Sequence, residues 1–224
     1  MKAVVTYQEI LDAAHKHHLD VLGAVNPART PTQELTSGTL ILLGLTGQDS
    51  WTRLQNTPEF LDGRPDPLDR WSRRVVDRLG QQFDAATHYP FGGPPYRPFV
   101  SWALASGRAF TSPSHMLVHD TVGMLISYRG ALHLRQDIEI PAPPLQRSPC
   151  ETCTGRPCLT TFPVHALVEA GPYDLSACHS HLETPNGLHC LSNGCLARLA
   201  CPLSQGADRA PAQSAHHMSY FHKT

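Results

Sequence analysis

At 224 residues the chain has room for one good-sized domain and a small one, and a formal net charge of −1 offers no field to attract nucleic acid or an anionic membrane. No stretch approaches the roughly 20 apolar residues that cross a bilayer, so no membrane insertion is expected. The N-terminal run Met1 to Glu9 lacks an apolar leader core and turns acidic early, which points to a reducing cytosol and hence a cytoplasmic protein.

In chain order, Thr6-Tyr7-Gln8-Glu9 has the form of a capping box and opens a helix with Ile10, Leu11 and Ala14 on one face. Val21 to Val25 reads as a short strand ending at Asn26-Pro27. The unbroken apolar run Thr39 to Leu45 predicts a strand buried on both faces. A short helix is expected around Trp51 to Leu54. A longer one follows, with Asp66 as cap, Pro67 in the first turn, Gly80 as stop, and a stripe of Trp71, Val75, Val76 and Leu79.

His88 to Pro98 is too rich in Pro and Gly for regular structure. A helix through Phe99 to Leu104 should stop at Gly107. Met116 to His119 and Met124 to Arg129 read as strands around Asp120 to Gly123, with Ala131 to Leu134 continuing the second. The linker Ile140 to Leu145 closes this part. The alternation supports an α+β or three-layer α/β domain over residues 1–140, followed by a cysteine-bearing module over 141–224.

All seven cysteines fall in that module: Cys150, Cys153, Cys158, Cys178, Cys190, Cys195 and Cys201. In a reducing compartment such a concentration of soft ligands points to metal rather than to disulfides, and an odd count suits a disulfide framework poorly. Cys201 is followed by Pro202. In ferredoxin-type sequences a run of close cysteines is completed by a distant Cys-Pro from the other motif. That pattern groups Cys150, Cys153, Cys158 and Cys201 around a 4Fe–4S cluster and leaves Cys178, Cys190 and Cys195 as a second set. The fourth ligand of that set is expected four residues past Cys158, before a proline, where the sequence has Phe162-Pro163. The second site then holds nothing, borrows a histidine (His179, His181 and His189 are near in sequence), or holds a three-iron cluster. The spacings are stretched: four residues separate Cys153 from Cys158 and Cys190 from Cys195, and five separate Cys195 from Cys201. Structural zinc on Cys150, Cys153 and two further cysteines is the alternative, and cysteines without metal are a third. The histidines His216, His217 and His222 are taken for an exposed tail.

The order Cys150, Cys153, Cys158, then Tyr173-Asp174-Leu175-Ser176-Ala177-Cys178, then Cys190, Cys195 and Cys201-Pro202 resembles the ferredoxin-like half of the epoxyqueuosine reductases, with their fourth cysteine replaced by Phe162. The N-terminal part resembles the cobalamin-processing proteins of the CblC type through Asp66-Pro67-Leu68-Asp69, the His119…Gly123…Arg129-Gly130 stretch and Ile138-Glu139-Ile140-Pro141. The whole is also similar to bacterial ferredoxin-like iron–sulfur proteins. The resemblance implies a nitroreductase-like α+β domain followed by the ferredoxin-like module, and a corrinoid among the ligands. The catalytic Asp of the epoxyqueuosine reductases has no matching position, so queuosine chemistry does not carry over.

Two function classes follow. One is an iron–sulfur redox protein, an oxidoreductase or its partner, whose cluster passes electrons to a corrinoid or flavin (FMN) in the N-terminal domain, with a redox protein or a small molecule as partner. The other is a non-enzymatic ligand-binding module braced by zinc or a degenerate cluster. Candidate cofactor contacts are Arg129, through bidentate hydrogen bonds, His119 as ligand or proton donor, and the backbone at Gly92 and Gly93. Arg129 paired with a structural acid, and His119 bonded within its own turn, are the plainer roles. No P-loop or Rossmann fingerprint occurs.

Overall fold

The computed structural model describes residues 4–145 and 147–223, so Met1, Lys2 and Ala3 of the N-terminal stretch lie outside it. The chain divides into two units, Met1–Ala109 with Ser127–Gln146, and Phe110–Ile126 with Arg147–Thr224.

In the first unit, Thr6 Oγ1 accepts from the Glu9 N–H (3.2 Å) while the Glu9 carboxylate accepts from the Thr6 N–H (2.8 Å), a complete capping box that opens α1 (Tyr7–His15). After β1 (Asp20–Val25) comes β2 (Thr39–Gly44), buried at every residue. Leu40, Ile41, Leu42 and Leu43 are each 0 % exposed. Full burial of such aliphatic side chains stabilises by about 1.5–3 kcal/mol apiece, so β2 is the centre of this core. Two short helices follow, α2 (Gln48–Gln55) and α3 (Pro58–Leu61).

The next helix, α4 (Pro67–Phe83), buries Leu68, Trp71, Val75, Val76 and Leu79. Two details differ from expectation. Asp66 precedes the helix in a left-handed conformation and makes no side-chain capping bond. Gly80 does not end it; the turn is made by Asp84, at φ 53°. Gly80 is glycine for another reason: a Cβ there would lie 2.5 Å from Thr87 Cγ2 and 3.0 Å from the Ala85 carbonyl oxygen. Those atoms belong to β3 (Ala85–His88), which the sequence reading left out.

The Pro- and Gly-rich segment after His88 is irregular and leads to α5 (Phe99–Ala105). Gly107, at φ 69°, follows that helix. A short strand β4 (Ala109–Thr111) pairs with β5 (Leu117–His119). The last strand is β6 (Tyr128–Leu134). Regular pairing does not extend back over Met124 to Ser127, because the Met124 N–H donates to Ser204 Oγ (3.1 Å) and the Leu125 carbonyl accepts from Arg209. The main sheet has the order β1-β2-β6-β3, and every neighbouring pair is antiparallel, so the unit is α+β rather than a parallel α/β layer fold. The helix α4 packs on β6 and β3.

The second unit holds short helices: α6 (Pro157–Thr160), α7 (Leu175–Leu182), α8 (Leu188–Asn193), α9 (Leu196–Leu199) and α10 (Pro211–Phe221). Segment 110–126 belongs with them. Gly123 sits at φ 57°, and a Cβ there would lie 2.4 Å from the Ser204 nitrogen, so the turn after His119 lies directly on the backbone that follows Cys201-Pro202. The helix α10 packs on α8 and buries Gln213, Ser214 and Met218. The C-terminal histidines are therefore no free tail: His222 is buried, and its Nδ1 lies 2.7 Å from His179 Nδ1. Among the described residues no helix is long and apolar enough to cross a membrane.

Candidate metal centres

Six of the seven cysteines of the second unit pack in two apolar clusters, and Cys153 lies outside both. Cys158 and Cys201 are buried in a cluster with Val118 and Met124, and Cys150 packs against it together with Phe110, Met116, Leu159 and Leu203. Each sulfur arrives on a different local structure. Ser148 caps the turn at Pro149–Glu151 by accepting from the Cys150 N–H, Cys158 lies in α6, and Cys201 leads into the turn Pro202–Ala207. Cys150 is within electrostatic reach of Cys153, Cys158 and Cys201, and Cys158 is within reach of Cys153 and Cys201. Burial pushes the Cys150 and Cys158 thiols up, and the neighbouring sulfurs add to the shift. Hydrogen bonds from Ser148 to Cys150 and from Ser114 to Cys158 oppose it in part. The Cys150 and Cys158 thiols therefore resist ionising; bound cations would reverse that, since a coordinating thiol is deprotonated outright.

The second group is Cys178 on α7, Cys190 on α8 and Cys195 at the start of α9. Cys178 and Cys190 are buried in a cluster with Phe162, Leu167, Leu182, Ala197 and Met218, and Cys195 packs against it. Cys190 feels both other sulfurs, and Cys178 feels Cys195. Burial raises the Cys178 and Cys190 thiols; the Tyr173 hydroxyl donates to Cys178, and the Leu196 backbone donates to Cys190. The Phe162 ring meets Tyr173 edge-on at 6.3 Å between centroids. The helix α10 closes over the loop joining Cys190 to Cys195, where a Cβ on Gly194 would lie 2.8 Å from Ser214 Cβ.

Two of the three histidines near this group in sequence are engaged elsewhere. His179 stacks on Phe221 and bonds His222, and His189 bonds Asn193. His181 Nε2 is buried with no hydrogen-bond partner. Among the described residues, no group of three or more His, Cys, Asp or Glu side chains is disposed to hold a metal ion.

The chain as a whole is similar to a solved structure, selenomethionine-labelled epoxyqueuosine reductase, at 14 % identity and a TM-score of 0.55, over 93 % of this chain and 68 % of that one. The chain has an epoxyqueuosine-reductase-like fold. No family model matches it, and no curated protein does. The likeness bears on that fold and not on the CblC resemblance.

The expected cofactor contacts lie in different units. Gly92, Gly93 and Arg129 belong to the first, and His119 to the second. Arg129 donates to Asp69 (3.2 Å) and to the Tyr128 carbonyl (2.8 Å), and its guanidinium lies 5.8 Å from the centre of the Phe91 ring. Burial raises the Asp69 carboxyl and lowers the Arg129 guanidinium. Arg73, which the sequence reading passed over, lies above Tyr89 (4.4 Å) and near Phe91 (5.7 Å) on the same loop. Gly92 takes φ 83°, with Arg73 Nη2 3.4 Å from where its Cβ would be. Gly93 is needed for the loop's own packing, since a Cβ would lie 2.7 Å from the Tyr96 ring. An open groove of about 610 Å³ beside β3 is lined by Asp77, Thr87, His133 and Arg135, and by none of these three residues. His119 is fully buried, its Nδ1 facing the Thr121 N–H (3.2 Å) and Asp120 Oδ1 (3.1 Å).

Proposed function

We propose that Cys150, Cys153, Cys158 and Cys201 hold a 4Fe–4S cluster, and that the protein is an iron–sulfur redox protein. The packing of Cys150, Cys158 and Cys201 in one apolar cluster, with Cys153 within electrostatic reach of Cys150 and Cys158, carries the reading. A 4Fe–4S cluster is ordinarily held by four cysteine thiolates, so the donor set fits in number and in softness. The epoxyqueuosine-reductase-like fold supports a redox-related function. When bound, the cluster supplies single electrons.

The chain's own residues would set how that centre behaves. Val118, Met124, Phe110 and Leu203 keep water from the sulfurs, and Ser114 and Ser148 supply hydrogen bonds that tune their electron density. The first unit would hold the acceptor, a corrinoid, a flavin such as FMN or a small substrate, and a redox protein would be the donor. Gly92, Gly93, Arg129 and the newly recognised Arg73 are the contacts for the acidic groups of such a cofactor, and His119 braces the turn next to Cys201. The protein acts in the cytoplasm.

Purification without air tests this. A brown protein whose Cys153→Ser variant loses about four irons and about four sulfides per chain is the expected result. A colourless protein containing zinc overturns it and restores the binding-module alternative. Spectral change on adding cobalamin or FMN then distinguishes the two cofactors.

A further inference from the structure

We propose that the free edge of β3 is a docking site, at which an extended segment of a partner protein, basic on one face and acidic on the other, adds as a fifth strand. This is independent of the iron–sulfur reading. In the sheet order β1-β2-β6-β3 both outer strands present a row of backbone groups, but the two edges differ. At β1, Arg108 Nη1 donates to the Val21 carbonyl (3.1 Å), the Tyr128 hydroxyl donates to the Leu22 carbonyl (3.3 Å), and the register shifts between Val21 and Gly23. At β3 the pairing with β6 is regular, and among the described residues the backbone of β3 bonds to nothing else. Its residues, Ala85, Ala86, Thr87 and His88, include none of the lysines, prolines or bulges that commonly blunt an edge, and Ala86 is exposed.

The open groove beside this strand is lined from both faces of the sheet. Thr87 faces α4, since its hydroxyl donates to Asp77 (2.9 Å) and a Cβ on Gly80 would lie 2.5 Å from its methyl. Asp77 and Gln81 line the groove on that face. His133 pairs with Ala86, the residue before Thr87, so it stands on the opposite face, and Arg135 continues that side. An added strand sends successive side chains to alternate faces and so fills both halves of such a groove.

The two halves also differ in charge. Asp77 Oδ1 accepts from both Thr87 and Tyr89, which fixes the carboxylate and, among the described residues, leaves Oδ2 without a partner. Arg135 is exposed, with no acid at ion-pair distance among the described residues. Basic side chains at alternate positions of the incoming segment therefore meet Asp77, and the acids between them meet Arg135. A second copy of β3 supplies neither lysine, arginine nor acid, so the charges select a partner segment over a homodimer.

The probe is a blocked peptide of about eight residues alternating lysine and glutamate, which when extended carries all its lysines on one face. The control has the same composition in the order Lys-Lys-Glu-Glu, which mixes both charges on each face. Fluorescence anisotropy at low salt and amide hydrogen exchange of the full chain read the binding. The alternating peptide should bind roughly tenfold more tightly than the control and slow exchange at Ala85–His88. Arg135→Glu should weaken it roughly fivefold, and Gln81→Glu should strengthen it roughly twofold; both positions are exposed, so the fold is kept. No binding, equal binding of the two peptides, or protection away from β3 would overturn the proposal. So would a concentration-dependent dimer with slow exchange at β3 in the absence of peptide, which would assign the edge to a second copy.

Discussion

Gly80 shows how one residue type serves different ends. In a helical pattern glycine signals a stop, yet α4 runs through it to Phe83, because the missing side chain lets β3 approach. Gly80→Ala gains about 1 kcal/mol in helix propensity but forces a methyl against Thr87 and the Ala85 carbonyl, a cost of about 1–3 kcal/mol. Urea denaturation should show a net loss of about 1 kcal/mol, part of it recovered when Thr87→Ser removes the nearer methyl. His88, at the end of β3, has a buried Nε2 without a hydrogen-bond partner, and burial lowers its pKa to about 4. A histidine depressed in the folded state favours the neutral form there. Its contribution is therefore present above its ordinary value of 6.5 and fades as pH falls from there through about 4. Denaturation midpoints measured across that window should fall less steeply in His88→Gln than in wild type. Equal slopes would show that His88 does not titrate in this way.

At the scale of elements, legibility followed the strength of the local pattern. The capping box of α1, the unbroken apolar run of β2 and the stripe of α4 were readable because each repeats its signal over a full element. The strand β3 was not, since its four residues carry no period of their own and are held by pairing with β6. The helix α10 was missed because its buried face includes Gln213 and Ser214, which read as surface residues. The Cys-Pro rule sorts the seven cysteines into two candidate ligand sets, and six of the seven pack in two apolar clusters; Pro163 marks the position where Phe162 stands. Segment Met124 to Ser127 read as strand through its apolar residues, but those residues pack against the segment after Cys201. That contact gives a prediction. Gly123→Ala forces a left-handed alanine and a Cβ against the Ser204 nitrogen, which is backbone and cannot swing away. It should cost on the order of 2–4 kcal/mol and lower the iron bound by the Cys201 group, as read by denaturation and metal analysis. Unchanged iron would show that this turn does not position Cys201.

For the whole molecule, the second unit is discontinuous in sequence. Val118 and Met124 share a cluster with Cys158 and Cys201, although the twenty residues Ser127–Gln146 of the first unit lie between them and the cysteine module. A fragment covering only 147–224 should therefore fail to fold cooperatively or to retain iron, whereas the full chain does both. The central claim is that four sulfurs brought together by this unit hold one inorganic cluster. Iron and acid-labile sulfide counted in anaerobic wild type and in Cys201→Ser test it most directly. The loss of about four of each in the variant is predicted; equal counts in both proteins, or zinc without sulfide, would contradict it.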